Sequence, residues 1–292
     1  MNKKVTQINH SKLSNNLINY VYCNIEIEIN IDILALEYGI SKNHLHKIFK
    51  EQTGITIYKF IKSVRLQKAS NMLISNKSST ITKIANLCGY SVQTSFIRAF
   101  KQRFGQSPKS WRNGGYKDYS NSILPKSISY KDFSHVLPNI VTVKAKKAYY
   151  LRQKGYLYNG IRTTWQKMFA WTFSNNVNDF EQIGLFHDNP LITPLESCEY
   201  VACIVPKEGT VIKKSQNLPT FKIYPAVCIT FDFEGNYGDI LELIRWVNHH
   251  WLPTSGFEIP TIPSYTIFEK NDSVNDREFF KGTYYIPVES IL

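Results

Sequence analysis

The side chains best suited to chemistry in this 292-residue sequence are its 5 cysteines and 7 histidines. Thiolates act as nucleophiles and soft metal ligands, and imidazoles serve as bases or metal ligands near neutral pH. Both roles need a geometry that spacing can reveal. Cys23, Cys88, Cys198, Cys203 and Cys228 are an odd number and scattered, with neither a paired C-x-x-C nor a disulfide framework. Reduced, structural thiols are expected, and Cys198 and Cys203 would not meet on one strand to hold a metal. His249 and His250 are adjacent rather than spaced for zinc. Near the end of a helical segment, they predict a favourable charge at that helix's C-terminus. No glycine-rich loop that could cradle a phosphate is present. No catalytic residue, metal or cofactor is therefore expected.

The other chemical resource is positive charge, and it is unevenly spread. The formal net charge is +12. Through Asp118 there are 18 Lys and Arg against 6 Asp and Glu, whereas from Ile123 onward there are 17 of each. A basic region joined to a neutral one points to a polyanion-binding half and a half with another task. A merely solubilising surface would not leave the second half without excess charge. The length suggests about two domains, and a hydrophobic fraction of 43% is enough for packed cores. No run of about 18 apolar residues suggests a membrane span. The polar start, Met1-Asn2-Lys3-Lys4, is unlike a secretion signal, so a cytoplasmic protein is expected.

The elements that must carry the charge read as helices. Between Ser11 and Leu124 the only proline is Pro108. Leu13, Leu17, Ile18 and Val21 recur at helical spacing, as do Ile61, Val64, Leu66, Ala69, Leu73 and Ile74 on a longer helix. Two helices meeting at a tight turn need a small residue at their contact and a residue tolerant of left-handed backbone at the turn. Residues 31–49 meet this with Leu34 and Ala35, then Gly39, then Leu45, Ile48 and Phe49 as inner anchors. Ser41 is placed to cap the second helix. The arrangement recurs 50 residues on, with Ile84 and Ala85, Gly89, Ser91, and then Phe96 and Phe100 one residue later than the first unit predicts. From Asn113 to about Pro138 the pattern breaks into Gly, Ser, Asn, Lys and Pro, which reads as a linker.

Residues 9–112 resemble the DNA-binding domain of the AraC/XylS transcription regulators. The matching stretches are Leu45-His-Lys-Ile-Phe-Lys-Glu-Gln-Thr-Gly54, Arg65-Leu-Gln-Lys-Ala69, Ile84-Ala-Asn-Leu-Cys-Gly-Tyr90 and Phe96-Ile-Arg-Ala-Phe-Lys-Gln-Arg-Phe-Gly-Gln-Ser-Pro-Lys-Ser-Trp-Arg112. The resemblance implies a long helix over residues 55–74 holding two recognition helices roughly 34 Å apart, one turn of DNA, in successive major grooves. Two unlike readers on one chain imply an asymmetric site bound by a monomer. Carried over by position, base contacts fall on Asn43, His46 and Lys47 in the first unit. In the second they fall on Gln93, Thr94, Ile97 and Arg98. Arg and Lys suit guanine, Asn and Gln suit adenine, and Ile97 suits a thymine methyl. The alternative is that these residues are simply the solvated faces of their helices. Lys42, Lys50, Lys62, Lys101 and Lys109 suit phosphates.

Beyond the linker the pattern changes to an α+β one. Residues 140–143, 199–205 and 221–231 alternate as strands do, and residues 161–173 and 239–251 read as helices. Two similar strand–helix–strands passes suggest an internal duplication. Residues from about 139 to 292 resemble the GyrI-like small-molecule-binding domain. The landmarks are Trp165, Gly184-Leu-Phe-His-Asp-Asn-Pro190, Cys198-Glu-Tyr-Val-Ala-Cys203, Glu234-Gly-Asn-Tyr237, Trp251-Leu-Pro-Thr-Ser-Gly256 and Tyr284-Tyr-Ile-Pro-Val288. The resemblance implies two βαββ repeats around an aromatic-lined concavity, with Trp165, Phe186, Trp246, Tyr265 and Thr266 as the effector pocket. In the family a buried Glu commonly stands where Pro263-Ser-Tyr-Thr-Ile-Phe268 places Thr266. Glu269, three residues on, should point elsewhere. Without that counter-charge the ligand is neutral, weakly bound or absent.

The resulting expectation is a domain over 1–115 with two helix-turn-helix units, a linker over 116–138, and an α+β effector domain over 139–292. It is that of a bacterial, nucleoid-associated regulator, an activator, with RNA polymerase as partner and a small aromatic or hydrophobic effector. The alternatives are a constitutive DNA-binding regulator whose second domain stabilises or binds protein, and a GyrI-like hydrolase, against which Thr266 argues.

Overall fold

A computed structural model describes residues 3–125, 131–212, 218–236, 238–271 and 279–289. They form two compact units, Met1–Ser70 with Ser79–Lys109, and Asn71–Ser78 with Ser110–Leu292. Part of the expected linker, 126–130, and the landmark Tyr237 lie outside the described residues.

The first unit is helical: α1 (Lys3–Cys23), α2 (Ile31–Glu37), α3 (Lys42–Thr53), α4 (Ile57–Ser75, whose last turn belongs to the second unit), α5 (Ile81–Leu87) and α6 (Gln93–Phe104). Its core forms because apolar residues return every three or four positions to one face of each helix. Leu17, Ile18 and Val21 of α1 meet Leu34, Ala35, Leu45 and Phe49, and Ile61 and Val64 of α4 close the cluster. Asn30 caps α2 and Thr80 caps α5 through their side-chain oxygens. A short turn, α7 (Pro108–Ser110), ends the region.

The second unit opens with α8 (Tyr116–Ile123), so the first part of the expected linker is helical. An eight-stranded antiparallel sheet follows, from β1 (Asn139–Val143), β2 (Lys146–Lys154), β3 (Phe180–Phe186), β4 (Glu199–Pro206), β5 (Thr220–Ile223), β6 (Ala226–Asn236), β7 (Ser264–Asn271) and β8 (Phe279–Val288). Helices α9 (Tyr158–Ser174) and α10 (Asp239–Trp246) follow β2 and β6. The strand order is β1-β6-β8-β7-β3-β4-β2-β5. It reads as two βαββ repeats, β2-α9-β3-β4 and β6-α10-β7-β8, joined back to back at β3 and β7. Each repeat borrows its outer strand from the lead-in of the other, β5 on β2 and β1 on β6.

Two expectations need correction. The strand expected over 221–231 is two strands, because Tyr224-Pro225 interrupts it and proline has no N–H for the ladder. The expected helix over 239–251 ends at Trp246, and a π-helical turn (Val247–Trp251) continues it. There His249 is buried against the Tyr116 ring, with centroids 5.2 Å apart. Burial, then the charge of Arg245, holds its pKa down at about 3. His249 is therefore neutral and does not supply the helix-end charge. Among the described residues no helix is long and apolar enough to cross a membrane.

Candidate nucleic-acid interface and apolar cavity

Both helix-turn-helix units close through a glycine with left-handed backbone, Gly39 at φ +64° and Gly89 at φ +75°. At Gly89 space matters as well, since a Cβ there would overlap the Ile25 carbonyl and the Arg65 guanidinium. The anchors Leu45, Ile48 and Phe49 in α3, and Phe96 and Phe100 in α6, are all buried. The second turn, residues 88–92, is one residue longer than the first, 38–41. That extra residue moves the cap. The Ser41 hydroxyl accepts the His44 N–H at 3.2 Å, whereas Val92, not Ser91, stands at the start of α6, with no side-chain cap bond.

Burying one side of each helix turns the other side outward. On α6, Gln93, Thr94, Ile97 and Arg98 are all exposed, and no hydrogen bond or ion pair engages them among the described residues. On α3, Asn43 and Lys47 are exposed, but His46 is half-buried with its ring 5.3 Å from that of Tyr58. The lysines expected at phosphates divide likewise. Lys50, Lys101 and Lys109 are exposed, while Lys42 pairs with Asp32 at 2.9 Å and Lys62 donates to the Gln102 side chain at 2.9 Å. Lys42 and Lys62 thus have one of their three N–H donors already engaged. Helix α4 positions both units. Arg65 donates to the carbonyls of Ile25 and Ile27, and Arg103 of α6 donates to the Ser63 carbonyl and hydroxyl.

In the second unit, strand alternation sorts side chains onto two faces. One carries Tyr150, Ile183, Leu185, Val201, Cys203 and Tyr265 as a core cluster. The other faces α9 and α10, where a cavity of about 60 Å³ lies between the repeats. Tyr156, Phe186, Tyr200, Phe233, Phe268 and Phe280 supply its aromatic wall, with Ile161 of α9 and Leu241 of α10. Among the described residues the wall includes no carboxylate or ammonium group.

Of the five expected pocket residues, Phe186 lines this cavity. Trp165 stands behind the wall and donates its indole N–H to the Tyr200 hydroxyl at 2.9 Å. Trp246 packs on Phe231 and Phe133. Tyr265 is on the opposite face, stacked on Tyr285 with centroids 5.0 Å apart. Thr266 is on the cavity's face, opposite Gly184 and Tyr284, but fully buried beneath the wall with its hydroxyl unpartnered. Glu269 points to solvent and pairs with Lys281 at 2.9 Å. The wall residues missed in the sequence follow from alternation: Phe233 continues the face of Phe231, and Phe268 that of Thr266. Beside the wall, burial pushes the Glu199 carboxyl up to about 7, although Arg152 lies 4.0 Å away. Among the described residues there is no cluster of metal-ligating side chains.

The sequence model of a helix-turn-helix domain matches residues 34–114, and that of the GyrI-like small molecule binding domain matches residues 138–289. The HTH-type transcriptional activator RhaS of Escherichia coli O139:H28 is 36% identical over 87 residues, 30% of this chain and 31% of that protein. The chain thus spans about a third of the length of such relatives. A transcriptional regulator with an AraC-type DNA-binding domain from Chromobacterium violaceum gives a TM-score of 0.33 at 25% identity, over 35% of this chain and 91% of that one. The EcmrR C-terminal domain gives 0.39 at 12% identity, over 53% and 99%. The assignment rests on the sequence models, the second of which spans more than half of the chain. The chain belongs to the GyrI-like small-molecule-binding family, and ahead of that domain it carries a helix-turn-helix domain of the AraC type.

Proposed function

We propose that the chain is a sequence-specific DNA-binding transcription regulator, an activator, whose C-terminal domain senses a small aromatic or hydrophobic effector. One observation carries the reading: two helix-turn-helix units of one build turn polar faces outward in the half of the chain that holds all the net positive charge. Gln93, Thr94, Ile97 and Arg98, with Asn43, His46 and Lys47, read bases. Lys50, Lys101 and Lys109, with Lys42 and Lys62, hold phosphates. The readers differ in sequence, so a monomer binds an asymmetric duplex site spanning two successive major grooves. The name of the relative RhaS supports activation, and activation implies contact with RNA polymerase in the cytoplasm, at the nucleoid. The proposed division is 1–115, a linker over 116–138, and 139–292. No catalytic role is proposed.

Aromatic walls suit flat, apolar ligands. With no carboxylate among the described wall residues, an uncharged ligand avoids the cost of burying an unpaired charge. One observation favours a second reading, in which binding to DNA is constitutive. The cavity of about 60 Å³ is far below the roughly 300–1,000 Å³ of drug-sized sites. A thermal-shift screen of the full chain against uncharged planar aromatics separates the two. A raised Tm supports sensing, and no shift with any compound supports the second reading. The DNA-binding claim is tested by fluorescence anisotropy with duplex DNA across salt concentrations. The expected log–log slope is about −0.9 for each phosphate held; salt-independent binding, or none, contradicts it.

A further inference from the structure

The second compact unit takes in Asn71–Ser78, the final turn of α4 and the residues after it. Asn76 is 2% exposed, and its side chain pairs with the backbone of Ile259 at both ends. Nδ2 donates to the Ile259 carbonyl at 3.0 Å, and Oδ1 accepts the Ile259 N–H at 2.9 Å. Oδ1 also accepts from the Ser75 hydroxyl at 2.7 Å. Earlier on α4, the Asn71 Oδ1 accepts from Nδ2 of Asn189 at 2.8 Å. A buried amide with both ends satisfied is costly to displace, so Asn76 holds the end of α4 in place.

Asn189 does not line the cavity, but its loop is joined to two residues that do. It lies three residues beyond Phe186, a wall residue. The adjacent Asp188 carbonyl accepts from the hydroxyl of Tyr156, another wall residue, at 2.9 Å. The Asn189 Oδ1 accepts the Leu191 N–H at 2.9 Å, so the loop turns as a unit. A cavity of about 60 Å³ must widen before a ring-sized molecule enters, and two of the rings in the way are joined to residues 188–189, Tyr156 by its hydrogen bond to Asp188 and Phe186 by the chain itself. Helix α4 runs unbroken from that end back to Lys62, Ser63 and Arg65, which hold α6 and the approach to α2.

We propose that the Asn189–Asn71 bond is the coupling contact through which widening of the cavity reaches α4, with Asn76 on Ile259 as the fixed pivot. Its biological use rests on the sensor reading above, whereas the mechanical link can be tested without a ligand.

The test is amide hydrogen exchange with mass spectrometry on the full chain. Ile161→Phe crowds the cavity, and Phe186→Leu, a milder change, empties part of it. Both are expected to speed exchange at residues 71–78 by about fivefold, the effect of one lost hydrogen bond on local opening. Asn189→Ala alone should produce the same acceleration. Added to either cavity variant, it should leave no further change at 71–78 while the change at β3 persists. The proposal is overturned if cavity variants alter β3 yet leave 71–78 untouched, or if their effect on 71–78 survives Asn189→Ala. Indole, an uncharged planar probe, is run in parallel. Its failure to bind counts against the sensor reading, while the variants alone decide the coupling.

Discussion

Helices α3 and α6 are two versions of one device. Both run 12 residues and end in a left-handed glycine, Gly54 or Gly105, whose N–H returns to Lys50 or Lys101. They differ in where their polar groups are engaged. α3 is tied down at its start: Ser41 caps it, Lys42 pairs with Asp32, and His46 rests on Tyr58. α6 starts uncapped and is tied down near its end instead, where Arg103 and Gln102 meet Ser63 and Lys62 of α4. Its first two turns are left with an outward face free of internal partners among the described residues. A side chain already engaged must give up that contact to meet a base, and a free one need not. The contrast therefore predicts that α6 supplies most of the sequence discrimination, while α3 contributes position and affinity.

The sharpest way to break this contrast is at Arg98. Arg98→Ala should cost about 1–3 kcal/mol on the preferred duplex and relax selectivity at one base position. His46→Ala should cost less, because the imidazole first has to leave Tyr58. Equal weakening on every DNA sequence would reduce Arg98 to a phosphate contact, and a larger effect from His46→Ala would reverse the ranking of the helices.

The next effect is on stability. Ser41→Ala removes a working cap and should destabilise the domain by about 1 kcal/mol in thermal or urea unfolding. Ser91→Ala should stay within about 0.5 kcal/mol, since Ser91 caps nothing. Matching losses would mean that α6 begins a residue earlier than described.

The smallest effect belongs to Lys42. Its partner Asp32 is exposed, and such pairs add little to stability, so Lys42→Ala should leave the melting curve unchanged. If Lys42 moves from Asp32 to a phosphate on binding, the substitution should flatten the salt slope by about 0.9. An unchanged slope would show that Lys42 stays with Asp32.

These contrasts also mark how far the sequence could be read. The paired turns were legible because their determinants are local: a small residue, a glycine and two or three anchors within twenty residues. The loss of a cap on α6 is local too: one extra residue in 88–92 puts Val92, rather than Ser91, in the capping position. The duplicated strand–helix–strands passes were legible, but the cavity wall was not. Strand parity puts Tyr265 and Thr266 on opposite faces, and only the observed register shows that the cavity lies on the side of Thr266 and Phe268. His249 was read as a charge because its burial depends on Tyr116, more than a hundred residues earlier in the chain.

The central claim is that one chain carries two unlike readers of DNA. It is tested most directly by selecting duplexes bound by the full-length protein from a random library and sequencing them. The expected outcome is an asymmetric motif of two different half-sites about 10 base pairs apart, one of which loses its sequence information in the Arg98→Ala variant. A palindromic motif, or a bound pool no different from the starting library, would contradict it.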